Sequence, residues 1–102
     1  MPNCLIIGLM SGTSVDAIDA AIVRISTVSD RYAAKVLRHI EHPWPPAVRK
    51  RLLAVMAPAK TATEELCQLN VLVSQHFAAA VEKLLKESKI PRSKIAAIGS
   101  HG

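Results

Sequence analysis

The residues best suited to chemistry lie between two apolar runs near the start of the chain, in Ser11-Gly12-Thr13-Ser14-Val15-Asp16-Ala17-Ile18-Asp19. Ser11, Thr13 and Ser14 supply three hydroxyl groups around Gly12, a residue that can take positive φ and let backbone approach a ligand closely. Successive amide N–H groups in a tight turn form a concave nest for an anion, so amides and hydroxyls together suit a phosphate. Asp16 and Asp19 would repel a bare phosphate. They fit either the orientation of a metal-bound water or side-chain hydrogen bonds that fix the loop. An ordinary β-hairpin with a polar turn accounts for the same spacing without a ligand.

Other chemistries fit less well. No lysine follows Gly12 as a Walker A sequence requires, which removes P-loop NTPases. No GxSxG elbow surrounds the serines and no histidine lies near them, so hydrolase chemistry is rejected. Asp16 and Asp19, three apart on a turn entering a strand, need not face each other as an acid/base pair. His39, His42, His76 and His101 lack metal-ligand spacing, and His76 lies beside core positions of a helix. His101 follows a strand end between glycines, where it is either a ligand contact or a loop histidine.

The elements that must hold these residues can be read in order. Leu5 to Met10 is a strand rich in apolar and β-branched residues, and Ile18 to about Ile25 is a second, apolar on both faces near its start and hence inside a sheet. The short connection makes the pair antiparallel. Ser29-Asp30 closes a hairpin into a third strand, Tyr32 to Ile40, with Tyr32, Ala34, Val36 and Ile40 on one face and a place near the sheet edge. After the proline-rich corner around Trp44, a short helix starts at Pro46 and stops before Pro58. Thr61 to Glu64 matches a capping box. A long helix follows, with Leu66, Leu69, Val73, Phe77, Ala80 and Leu84 as its core stripe. Lys94 to Ile98 begins a fourth strand, returned parallel to the first by the helical crossover. Ser100-His101 would then face the same crevice as the loop after strand one.

Length and composition set the bounds. A chain of 102 residues, half of them hydrophobic, fits one globular domain, with no apolar run long enough to span a bilayer and no export signal, so the cytoplasm is expected. The net charge of +5 is spread along the chain and only three aromatics are present to stack on bases. Arg49-Lys50-Arg51 and the Lys83 to Lys94 region therefore read as solvated basic surface rather than a nucleic-acid or membrane site. Cys4 and Cys67 form no CxxC and read as two buried thiols.

The run from Ile7 to Ala21 resembles the amino-terminal signature of the anhydro-N-acetylmuramic acid kinases, GLMSGTSxDGxD, with Ala17 where that pattern commonly has glycine. Ile98-Gly99-Ser100-His101-Gly102 resembles the start of the family's IGSHGQT motif. The resemblance implies an α/β, ribonuclease-H-like fold of the actin, heat-shock chaperone and sugar kinase superfamily. Residues 1–102 would be the amino-terminal part of an ATPase domain, about a quarter to a third of such a kinase. It implies ATP with Mg²⁺ as cofactor and an anhydro-amino-sugar as substrate, no nucleic acid or membrane partner, and possible homodimerisation of the complete enzyme. In the implied reaction, water opens the 1,6-anhydro ring and the freed oxygen takes the γ-phosphoryl group, giving N-acetylmuramic acid 6-phosphate during peptidoglycan recycling. On this resemblance Gly12, Thr13, Ser14, Val15, Asp16, Ala17, Ile18 and Asp19 form the ATP-phosphate loop; Ser100 and His101, from their place at the same crevice, are the candidate substrate contacts. The family's general-base aspartate has no counterpart here, and such a fragment would expose its sheet edge and half of a cleft, so the chain alone is expected to be inactive and marginally stable. A non-catalytic nucleotide-binding module and a related kinase of another sugar are the alternatives.

Overall fold

The computed structural model describes residues 4–12, 14–56, 60 and 62–100. Its strands are β1 (Cys4–Ser11), β2 (Ala17–Val28), β3 (Arg31–Pro43) and β4 (Ile95–Ser100), and its α-helices are α1 (Pro46–Met56) and α2 (Thr63–Ser88). The four strands form one mixed sheet in the order β3-β2-β1-β4, with β1 antiparallel to β2 and parallel to β4. The expected α/β arrangement of three antiparallel strands, helices and a returning parallel strand is therefore present, with β2 inside the sheet and β3 at an edge.

The hairpin between β2 and β3 turns on Ser29 and Asp30, with φ of 48° and 66°. Two left-handed residues in succession give the turn whose twist matches that of paired strands, so the strands continue to the turn itself. Across the sheet, Ile22 pairs with Arg38 but Val23 pairs with Val36, which leaves Leu37 as an extra residue. This bulge corrects the expected face of β3: Ile40 is buried with Ala20, whereas Tyr32 and Val36 are 84% and 59% exposed. An inserted residue exchanges the two faces of a strand beyond it, which is also why Arg38 interrupts the alternation.

The covered face of the sheet carries Ile7, Ile18 and Ile22, all fully buried, and α2 lays Ala80 and Leu84 in the same core. Complete burial of an aliphatic side chain of this size contributes about 1.5–3 kcal/mol, so these four large residues are the main hold between helix and sheet. The stripe of α2 that packs on this core runs from Val73 to Leu85; Leu69 is buried outside it, and Leu66, in the first turn, is exposed. Near that first turn the two helices are joined by polar contacts instead: the Arg51 guanidinium donates to both Glu65 carboxylate oxygens, at 3.1 and 2.6 Å, and to Gln68 at 3.0 Å. The expected cap, Thr61, lies outside the described residues. Ala62 occupies the cap position without a side-chain hydrogen bond, and Glu64 accepts from Gln68.

Both cysteines are exposed, not buried. Cys4 pairs with Ile25 on the face of the sheet away from the helices, and Cys67 lies off the α2 core stripe. Neither position has a layer packed over it.

Candidate functional site

Residues Gly12 to Asp16 join β1 to β2. The Val15 amide donates to the Gly12 carbonyl at 3.0 Å, which makes the connection a tight turn as expected. The positive φ, however, lies at Val15, at 53°, and no described glycine has one. A β-branched residue in the left-handed region costs about 1–2 kcal/mol. Val15 is only 6% exposed, and burying a valine contributes about 1.5–3 kcal/mol, so its side chain inserted in the core outweighs the strain. Ala17 starts β2 with ordinary backbone, and the glycine common at that position in the family signature is not required here for positive φ.

The loop is held from outside by two residues absent from the sequence-based site. Arg49, on α1, donates from Nε to the Val15 carbonyl at 3.0 Å, and from Nη2 to the Ser14 carbonyl at 3.1 Å and the Asp16 carboxylate at 3.3 Å. Trp44 donates its backbone N–H to the Asp16 carbonyl at 3.3 Å and its indole N–H to the Ser11 hydroxyl at 3.1 Å. The carbonyls of Gly12, Ser14, Val15 and Asp16 are thus all turned onto protein donors. Carbonyl oxygens carry partial negative charge, so satisfying them internally leaves the outer side of the loop more favourable to an anion.

Two clefts meet at Gly12. One, of about 430 Å³, lies on the helical side between Ser11, Val15, Trp44, Phe77 and Ser100. Ser100, at the end of β4, therefore shares a crevice with the loop as expected, while His101 and Thr13 lie outside the described residues. The other, of about 300 Å³, is polar and is lined by Ser14, Asp16, Asp19 and Glu41. A Cβ built on Gly12 would meet nothing within 4 Å.

Of the sequence-based site residues, Ser14 and Asp16 are exposed, whereas Val15 and Ile18 are buried, and the Val15 backbone is itself engaged, its N–H on the Gly12 carbonyl and its carbonyl on Arg49. Asp19 accepts a hydrogen bond from His39 Nε2 at 3.0 Å across the β2–β3 pair. Both carboxylates thus have one oxygen engaged by a cation or imidazole. His76 packs edge-on against the Trp44 ring, with centroids 5.4 Å apart, in keeping with a structural role. The basic run 49–51 is not merely solvated: Arg49 grips the loop and Arg51 joins the helices.

A four-stranded mixed sheet with the loop between its first two strands is an arrangement found in the actin-like sugar kinases. Residues 4–102 match the family model described as anhydro-N-acetylmuramic acid kinase, and the chain belongs to that family. It is 42% identical over 101 residues to the anhydro-N-acetylmuramic acid kinase of Xanthomonas oryzae pv. oryzae, which covers 98% of this chain and 26% of the relative. The kinase of the same description from Caldanaerobacter subterraneus subsp. tengcongensis is 36% identical over 98 residues, covering 96% of this chain and 25% of the relative. That from Gloeothece citriformis is 41% identical over 96 residues, covering 94% and 24%. The chain spans about a quarter of the length of these curated relatives.

Proposed function

We propose that this chain is the phosphate-loop portion of an ATP-dependent kinase of 1,6-anhydro-N-acetylmuramic acid, acting in the cytoplasm where ATP is supplied. Support comes from the family membership together with one observation: the Gly12–Asp16 turn has its described carbonyls engaged by protein donors. Backbone N–H groups and the hydroxyls of Ser11, Thr13 and Ser14 surround the terminal phosphates of ATP. In phosphoryl transfer such positioning and charge stabilisation carry most of the catalysis.

The donors present fit Mg²⁺. Asp16 and Asp19 line one polar cleft, each with a carboxylate oxygen beyond its protein partner, and Mg²⁺ is commonly held by one or two carboxylates with phosphate oxygens and waters. When bound, it neutralises charge on the transferring phosphoryl group. Asp16 and Asp19 would hold it, and His39 fixes the Asp19 carboxylate.

In the overall reaction water adds at the anomeric carbon and the bond from that carbon to the ring-bridging oxygen breaks. The freed oxygen takes the γ-phosphoryl group, leaving ADP and N-acetylmuramic acid 6-phosphate. No residue of this chain is assigned as the base. The test is to assay the complete enzyme with ATP on the anhydrosugar and on ordinary hexoses. Phosphorylation confined to the anhydrosugar is expected; activity on hexoses alone would make it a related sugar kinase, and nucleotide binding without transfer would make it a binding module.

A further inference from the structure

Arg49 stands one turn into α1, its own amide bound to the Pro45 carbonyl, and its side chain crosses to a loop far earlier in the sequence. One guanidinium there reaches three acceptors: the carbonyls of Val15 and Ser14 and the carboxylate of Asp16. A planar fork of fixed donors can serve several acceptors at once, which the single ammonium of lysine does less well.

The contacts have two consequences for an anion. Because the peptide unit is planar and trans, turning the Val15 carbonyl onto Arg49 points the Asp16 N–H the opposite way, off the helix. The Asp16 carboxylate, repulsive to phosphate by itself, meanwhile shares its charge with a cation 3.3 Å away. The side chains of this pair are 41% and 73% exposed, so their attraction adds little to folding. The fork fixes the direction of the loop groups and offsets their charge.

We infer that Arg49 is a positioning residue for the nucleotide phosphates, acting through the Ser14–Asp16 backbone and the Asp16 carboxylate. This rests on the phosphate-loop reading above. It predicts a loss of affinity for ATP rather than for the sugar.

The experiment compares Arg49→Met, Arg49→Lys and Gly12→Val in the complete kinase, measuring equilibrium affinities for ATP and for the anhydrosugar separately, beside the thermal midpoint. Arg49→Met is expected to weaken ATP binding by about tenfold or more, since small misplacements of positioning groups carry losses of that order, with sugar affinity and midpoint unchanged. Arg49→Lys is expected to restore part of the loss by returning a cation beside Asp16. If Gly12→Val weakens ATP binding and Arg49→Met does not, the role of Arg49 is overturned while the loop reading stands. A parallel fall of both affinities and the midpoint in Arg49→Met would also overturn it, by making the residue a structural strut. Unchanged ATP binding in all three variants would overturn the loop reading itself.

Discussion

The Trp44 indole N–H donates to the Ser11 hydroxyl at 3.1 Å, tying the end of β1 to the corner between β3 and α1. Trp44 is buried, and its backbone N–H holds the other end of the loop through Asp16. One residue in a proline-bounded corner therefore grips the loop at both ends. Trp44→Phe in the complete enzyme keeps most of the packing and the backbone contact but loses the indole donor. The expected result is a loss of about 1 kcal/mol in stability with a several-fold rise in KM for ATP, checked by denaturant unfolding and steady-state kinetics. An unchanged KM would show that the Trp44–Ser11 hydrogen bond has no part in nucleotide binding.

At the loop itself, Gly12 has open space around it, so the fold accommodates a side chain that a ligand would not. Gly12→Val and Asp19→Asn are each expected to lower kcat/KM for ATP by about a hundredfold, while thermal midpoints shift little. Losses of folding and activity that run in parallel would favour a purely structural loop.

His42 gives the fold a dependence on pH. Burial lowers its pKa below the ordinary histidine value of 6.5, with smaller contributions from the charge of Lys83 and from His76, and its Nδ1 is buried without a partner among the described residues. The folded state thus resists a proton that the unfolded chain accepts. Stability is complete above the unfolded value and falls as pH drops below about 6.5 towards the folded pKa. A melting series between about pH 7.5 and 5 should show this decline, reduced in His42→Phe. An identical slope in the variant would remove His42 as its source.

The sheet face away from the helices predicts how the 102-residue chain behaves alone. Met10, Tyr32 and Val36 lie there more than half exposed. Exposed apolar area of this kind marks a surface meant to be covered. The isolated chain is expected to bind a hydrophobic dye and to unfold with less than about 5 kcal/mol. Ordinary stability without dye binding would contradict this.

Much of the architecture was legible because it rests on periodicity. Ile18, Ala20 and Ile22 announce a buried strand, and the spacing from Leu69 to Leu84 announces the long helix that covers it. The signature located the loop, but not how it is held. The Trp44 and Arg49 side chains lie 33 to 35 residues from the groups they bind, and only the folded chain brings α1 against the β1–β2 turn. The bulge at Leu37 was equally hidden, although Arg38 breaking the alternation was its trace. The two cysteines were misread because small thiols are usually buried, a preference that fails on a face with no covering layer.

The most direct measurement of the central claim is a crystal structure of the complete kinase with a non-hydrolysable ATP analogue. The β- and γ-phosphates are expected within hydrogen-bond distance of the Asp16 amide and of the loop hydroxyls, with Arg49 still on the Ser14 and Val15 carbonyls. A triphosphate bound elsewhere, with this turn untouched, would contradict it.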